Sequence, residues 1–179
     1  MRWEIEIENI VTPRLIIRRF KETDLGGFLA YQSRPEVRRF MPGQAMNDEQ
    51  AERFLASQSS MQDLDRDAYH AFAVTLRDGL NLIGDVGMYL PSGEERVGDL
   101  GFQFHPDYHG QGYAFESTEA LIRHAFAEWD LEKVTANCDS TNIRSYQLLE
   151  RLGMLRQEQP KMAGSHSYQL MRTAFISRV

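Results

Sequence analysis

The stretch Phe102-Gln103-Phe104-His105-Pro106-Asp107-Tyr108-His109-Gly110-Gln111-Gly112-Tyr113-Ala114 carries the most informative spacing in the chain. A glycine-containing loop here separates a β-like run from a long segment of helical apolar periodicity. Glycines let backbone N–H groups turn toward one point without Cβ interference, and a helix N-terminus adds unpaired donors and the positive end of a dipole. The chemistry is anion binding, and a diphosphate is the natural guest; the alternative is a plain strand-to-helix turn. A P-loop needs Gly-Lys-Ser/Thr after its glycines, whereas Gly112 is followed by Tyr113 and Ala114. A dinucleotide fingerprint needs a third glycine where Phe115 stands, and Glu132, the acidic residue in range, precedes its strand instead of following it.

A second pattern lies downstream, in Asn142-Ile143-Arg144-Ser145-Tyr146-Gln147-Leu148-Leu149-Glu150-Arg151-Leu152-Gly153-Met154. Taken alone it is a capped helix, with Asn142 at its start and Gly153 at its stop. Other reactive residue types form no constellation. Cys138 sits in the β-rich run Lys133-Val134-Thr135-Ala136-Asn137 with no basic neighbour, which reads as core filling and not as a nucleophile. His105 and His109 straddle Pro106 and share no helical face, no His-Glu-x-x-His pattern occurs, and His70, His124 and His166 suit ordinary structural places, so no metal site is expected.

These residues need elements to hold them. Strands are expected at 14–20, 69–76, 81–89, 96–105 and 133–138, then near 154–158 and 167–176. Asp78-Gly79 and Pro91-Ser92-Gly93 are turn signals that make 69–105 a three-stranded antiparallel meander. Helices are expected at 23–33, at 36–41 beyond the interruption at Pro35, at 47–62, at 114–129 and at 142–152. The helix at 114–129 has the clearest apolar stripe, from Phe115, Thr118, Leu121, Ile122, Ala125, Phe126 and Trp129. Trp3, Ile5 and Ile7 alternate with Glu4, Glu6 and Glu8 as in a half-buried strand that could lie at an edge or dock on a partner, which allows a homodimer. The pattern implies an α+β fold: one domain, residues 1–179, around a single sheet of six or seven strands.

Composition agrees with a globular chain, at 42% hydrophobic and 26% charged residues. A formal net charge of −6 gives no support to a nucleic-acid partner, and basic groups such as Arg18, Arg19 and Lys21 or Arg34, Arg38 and Arg39 read as solvated faces. One cysteine excludes an intrachain disulfide, the N-terminus has no signal-peptide pattern, and no apolar run approaches the ~20 residues that span a bilayer. A cytoplasmic location without membrane partners is the expectation.

The two glycine- and asparagine-bearing motifs together resemble the GNAT superfamily of N-acetyltransferases. Gly112 and Ala114 stand at the small-residue positions of its Gln/Arg-x-x-Gly-x-Gly/Ala motif, Phe104 and Pro106 match the preceding strand end, and His109 stands where Gln or Arg is usual. Residues 142–154 are similar to the family's Asn-led helix. Thr12-Pro13-Arg14-Leu15-Ile16-Ile17-Arg18-Arg19-Phe20 and Asp24 resemble the opening of the Rim-type branch, which includes ribosomal-protein N-acetyltransferases. Nearly the whole chain is covered by the resemblance.

The resemblance implies a mostly antiparallel central sheet flanked by helices on both faces. It also implies transfer of an acetyl group from acetyl-CoA to a primary amine by direct attack on the thioester. Phe104, His109, Gly110, Gln111, Gly112, Tyr113, Ala114 and Asn142 are the implied coenzyme-binding residues. Asp99 aligns with the Rim-type branch's proposed base, and Ser145 with its serine that contacts the sulfur. The Tyr that many relatives use as acid is replaced by Leu149, with Tyr146 a weaker substitute. The acceptor is a peptide N-terminus in preference to an amino sugar, amino acid or antibiotic. The rival reading is an acyl-CoA-binding sensor or scaffold on the same fold.

Overall fold

The computed structural model describes residues 9–78 and 81–177, so the alternating Trp3–Ile7 segment lies outside the described residues. The strands are β1 (Ile10–Val11), β2 (Leu15–Arg18), β3 (Ala68–Leu76), β4 (Leu82–Leu90), β5 (Val97–Phe104), β6 (Lys133–Asp139), β7 (Leu155–Arg156) and β8 (Ser165–Met171). The helices are α1 (Leu25–Gln32), α2 (Pro35–Arg38), α3 (Asp48–Ser60), α4 (Tyr113–Ala127), α5 (Ile143–Arg151) and α6 (Arg172–Ile176). All strands join one eight-stranded sheet in the order β1-β2-β3-β4-β5-β6-β8-β7. The strand count exceeds the expected six or seven by the short β1, which pairs Ile10 with Ile17.

Every neighbouring pair is antiparallel except β5 with β6. The meander of β3, β4 and β5 forms as expected, with Phe72 opposite Val86 and Gly87 opposite Gly101. The period-two alternation of these strands sends side chains to two faces. One face buries Phe72, Val74, Val86, Met88, Leu100 and Phe104 against α4 and α5. The opposite face packs Ala71 and Ala73 against Phe20, Phe28 and Tyr31 of the α1 region and Ala51 and Leu55 of α3.

α4 follows its sequence periodicity. Leu121, Ile122, Ala125 and Phe126 are buried along one stripe, each large apolar side chain contributing about 2 kcal/mol relative to exposure. α3 starts on a capping box in which Asn47 accepts from the Gln50 N–H and Gln50 answers to the Asn47 N–H. The C-terminal strand is shorter than the expected 167–176. β8 ends at Met171, and α6 then carries Phe175 onto Phe126 with ring centroids 5.5 Å apart. Packing of one aromatic overrides the β propensity of this Thr-Ala-Phe-Ile run.

Candidate active site

The loop between β5 and α4 has an anion-binding form. Gly110 and Gly112 take left-handed backbone conformations (φ +74° and +83°), and Gly112 is the residue that caps α4. A side chain with Cβ is strained at such angles. The backbone N–H groups of residues 110–115 donate to no group among the described residues. The space where a Cβ of Gly110 would stand is open. Orphan donors of this kind at a helix N-terminus need an acceptor, and a diphosphate supplies several oxygens in reach of one another.

β2 and the turn before it brace this loop from below. Glu116, in the first turn of α4, accepts from the Thr12 hydroxyl (2.6 Å), the Arg14 N–H (2.9 Å) and Arg14 Nε (2.6 Å). Burial raises the Glu116 pKa, but these donors outweigh it and the net shift is downward. Arg14 also donates from Nη1 to the Gln111 carbonyl at 2.9 Å and lies 4.6 Å from the Tyr113 ring centre. Gln111 turns back on the loop, donating from Nε2 to the Asp107 carbonyl. His109 links both walls of the adjoining gap: Nε2 meets the Phe104 carbonyl at 2.9 Å, and Nδ1 accepts from Arg144 of α5 at 3.0 Å. That set of partners selects the neutral tautomer with the proton on Nε2. Phe104 is buried in the core and Ala114 packs against that core.

The gap itself comes from the parallel pair. β5 and β6 pair only from Val97↔Lys133 to Leu100↔Ala136, although β5 continues to Phe104 and β6 to Asp139. Beyond Leu100 the strands part, and their facing backbone groups are not paired across the opening. Asp99 stands one residue before the last pair, on the α1 and α3 face. Its Oδ1 accepts from Thr135 Oγ1 at 2.5 Å and from Asn137 Nδ2 at 3.2 Å, and its Oδ2 accepts from no group among the described residues. The Ser167 hydroxyl donates to Asn137 Oδ1 at 2.6 Å and accepts the Lys161 N–H at 2.9 Å. Thr135, Asn137, Ser167 and Lys161 also line a groove of about 500 Å³ with Gln159 and Gln169.

Ser145 lies on the other face. Asn142 caps α5 by accepting the Ser145 N–H, and the Ser145 hydroxyl adjoins the Cys138 thiol, whose pKa burial pushes up. Leu149 is buried in the core, and Tyr146 packs its ring edge-on against His166 at 5.8 Å. The structure therefore brings residues 109–114, Asn142 and Ser145 to the α4 and α5 side of the opening, and Asp99 to its opposite side.

Thr12, Arg14 and Arg144 lie within the motif-bearing stretches, which give them no role in the brace or the bridge, while Glu116 and the partners Thr135 and Asn137 lie outside those motifs. For the last two a signal exists, since Lys133, Thr135 and Asn137 alternate with Val134 and Ala136 and so mark a polar face of β6. Another unforeseen group is buried beneath α1. The Tyr31 hydroxyl donates to Asp85 Oδ2 at 2.5 Å and Gln103 Nε2 donates to the same oxygen at 2.9 Å. Burial raises the Asp85 pKa to about 7 against the opposing pull of those two donors. This carboxylate is only 2% exposed, sealed away from the opening where Asp99 sits. His70 is fully buried in β3, and burial lowers its pKa; His124 is half-buried on α4 beside Trp129. Among the described residues no three His, Cys, Asp or Glu side chains gather as a metal site, and no helix is long and apolar enough to cross a membrane.

The chain resembles known proteins throughout. The family model described as "Acetyltransferase (GNAT) domain" matches residues 14–155. The N-acetyltransferase YnaD of Bacillus subtilis (strain 168) is 32% identical over 149 residues, covering 83% of this chain and 84% of that one. The ribosomal-protein-S5-alanine acetyltransferase of Vibrio fischeri superposes with a TM-score of 0.80 at 16% identity, over 94% of this chain and 99% of that one. RimL, the ribosomal L7/L12 alpha-N-protein acetyltransferase in complex with coenzyme A, gives a TM-score of 0.77 at 14% identity, over 93% and 99%. With the parted strands and the orphan N–H groups of the α4 loop already in place, these matches make the chain a member of the GNAT family, an acetyl-CoA-dependent N-acyltransferase.

Proposed function

We propose that this enzyme acetylates a primary amine, with a peptide N-terminus as the preferred acceptor, and that the two substrates reach the opening between β5 and β6 from opposite faces of the sheet. The unpartnered N–H groups of residues 110–115 carry the reading. They would hold the coenzyme diphosphate, with Asn142 and α5 forming the other wall. Arg144, whose exposed guanidinium bridges to His109, places a cation at the motif position where His109 replaces the usual Gln or Arg.

Bound there, acetyl-CoA supplies an activated acetyl thioester. The remaining steps fall to the chain. An ammonium group has no lone pair for attack, so a proton must leave the acceptor. Asp99 is suited to receive it, because Thr135 and Asn137 fix one carboxylate oxygen and the other is available as acceptor, directly or through water. An α-amine, with a pKa near ~8, needs less help than a lysine-like amine near ~10.4. The unpaired backbone edges past Leu100 can face the negative charge that gathers during acyl transfer. Ser145 is our candidate to donate toward a leaving thiolate, a reading supported by its position at the start of α5 and by the buried Leu149, which has no proton to give.

Support for a peptide comes from the groove beside Asp99, where Asn137, Gln159 and Gln169 present amides that can both donate and accept along an extended backbone. Two structural neighbours are named as acetyltransferases of ribosomal proteins. The decisive measurement is thiol release from acetyl-CoA with a panel of short peptides, amino sugars and polyamines, alongside a melting curve with acetyl-CoA alone. At a hundredfold excess over Kd the ligand should add about 2.7 kcal/mol, a rise of several degrees. Binding without turnover on any amine would leave a sensor; no thermal shift would remove the coenzyme site.

A further inference from the structure

On the α1 and α3 face, β3, β4 and β5 present cross-strand rows. Tyr69, Tyr89 and Asp99 form one, in register with Thr135 of β6; Ala71, Gly87 and Gly101 form the next. The Tyr69 ring does not stay in its own row. It leans over the glycine pair, so that a Cβ on Gly87 would meet its Cζ at 2.6 Å and its hydroxyl at 2.7 Å, and a Cβ on Gly101 would meet the hydroxyl at 2.6 Å. Two facing positions on neighbouring strands are thus kept free of side chains, and one phenol fills the space.

Packing alone would be served as well by phenylalanine. Tyr31, Tyr89 and Tyr168 have hydroxyl partners in Asp85, Asp67 and Glu150, whereas the half-buried Tyr108, Tyr113 and Tyr146 have none among the described residues. Tyr69 is partly exposed, and its hydroxyl makes no hydrogen bond among the described residues. What sets this hydroxyl apart is its place over two strand positions without side chains, where it is free to meet a group that arrives from outside. Its place identifies the visitor. Gly101 is the first β5 residue beyond the last β5–β6 pair, Leu100↔Ala136, so the hydroxyl stands at the mouth of the opening, beside the row that holds Asp99.

We infer that the Tyr69 hydroxyl is an acceptor-positioning group of this enzyme: it accepts one N–H of the neutral amine while Asp99 accepts the other, which turns the nitrogen lone pair toward the gap between β5 and β6, and the N–H on Asp99 gives up its proton to that carboxylate as the N–C bond forms. The inference rests on the amine-transfer reading and adds a substrate contact to it. Burial, with the fields of Asp85 and Asp99, raises the phenol pKa well above its ordinary value, so the group stays a neutral hydroxyl able to accept from nitrogen.

Tyr69→Phe keeps the ring over the glycines and removes only the oxygen. The acceptor kcat/KM should fall roughly tenfold, the worth of one such hydrogen bond, with the acetyl-CoA KM and the melting temperature unchanged. Gly101→Ala, which pushes the ring from its seat, should produce an acceptor-side loss that is not added to in the double variant. An unaltered acceptor kcat/KM in Tyr69→Phe, an equal loss on the acetyl-CoA side, or a melting temperature far below wild type would each overturn the inference, the last by showing a structural role. Failure of wild type to acetylate any amine despite binding acetyl-CoA would instead overturn the transfer reading on which it stands.

Discussion

Asp85 and Asp99 occupy the same local pattern, Gly84-Asp85-Val86-Gly87 and Gly98-Asp99-Leu100-Gly101, on adjacent strands and on the same face of the sheet. What separates them is cover. Tyr31 of α1 closes over Asp85, while Asp99 stands where the sheet opens. No local feature of the sequence distinguishes the two, because the cover arrives from more than fifty residues away; only the family resemblance singles out Asp99. Their chemistry should differ accordingly. The folded-state pKa of Asp85, about 7, lies above the ordinary 3.8, so folding takes up a proton between those values. The associated stability is full below pH ~4 and is lost as pH rises through ~7. Asp85→Asn, which cannot ionise, should therefore gain about 3 kcal/mol relative to wild type between pH 5 and pH 8 in urea unfolding. A constant difference between the two proteins across that range would show that Asp85 is not protonated by folding. Asp99→Asn should leave this pH dependence intact and abolish most turnover while acetyl-CoA still binds, which a thiol-release assay paired with calorimetry checks directly.

At the scale of elements, the α4 loop depends on a contact between parts of the chain far apart in sequence. Glu116 gathers three hydrogen bonds from Thr12 and Arg14, and Arg14 continues to the Gln111 carbonyl. The chain leading into β2 thereby fixes the angle at which the first turn of α4 presents its N–H groups. Glu116→Ala should lower stability by about 2 kcal/mol, since it strips several donors of a half-buried carboxylate, and should raise the acetyl-CoA KM several-fold with the acceptor KM unchanged. Equal effects on both substrates would mean that the brace serves folding alone. The elements it joins are legible in the residues: α4 by its apolar stripe, α5 by Asn142 and Gly153, the meander by turn signals. The brace is not, because periodicity and turn chemistry report on neighbours and this contact spans about a hundred positions. The same limit explains the C-terminus, where residues 172–176 carry strand propensity but form α6 because Phe175 finds Phe126.

At the scale of the whole molecule, the sheet stands between the two groups of residues proposed to serve the coenzyme and the acceptor. The α4 loop, Asn142 and Ser145, proposed to hold the coenzyme, lie with the large apolar core on one face, and Asp99, Tyr69 and the polar groove lie on the other, with the divergence of β5 and β6 between them. Sequence motifs locate the first set and Asp99 but cannot assign them to opposite faces until register and parity are known. This arrangement has a kinetic consequence. The side chain best placed to carry a covalent acetyl group on the coenzyme face is Cys138, beside Ser145, and burial holds its thiol above the ordinary range, away from the reactive thiolate. In the proposed arrangement, with donor and acceptor admitted from opposite sides, both can be present together and nothing requires an acyl-enzyme. Initial rates should give intersecting double-reciprocal lines, and Cys138→Ala should keep most of wild-type kcat. Parallel lines together with an inactive Cys138→Ala variant would mean that the acetyl group stops on the protein, and the two-sided opening would then serve sequential half-reactions at one thiol.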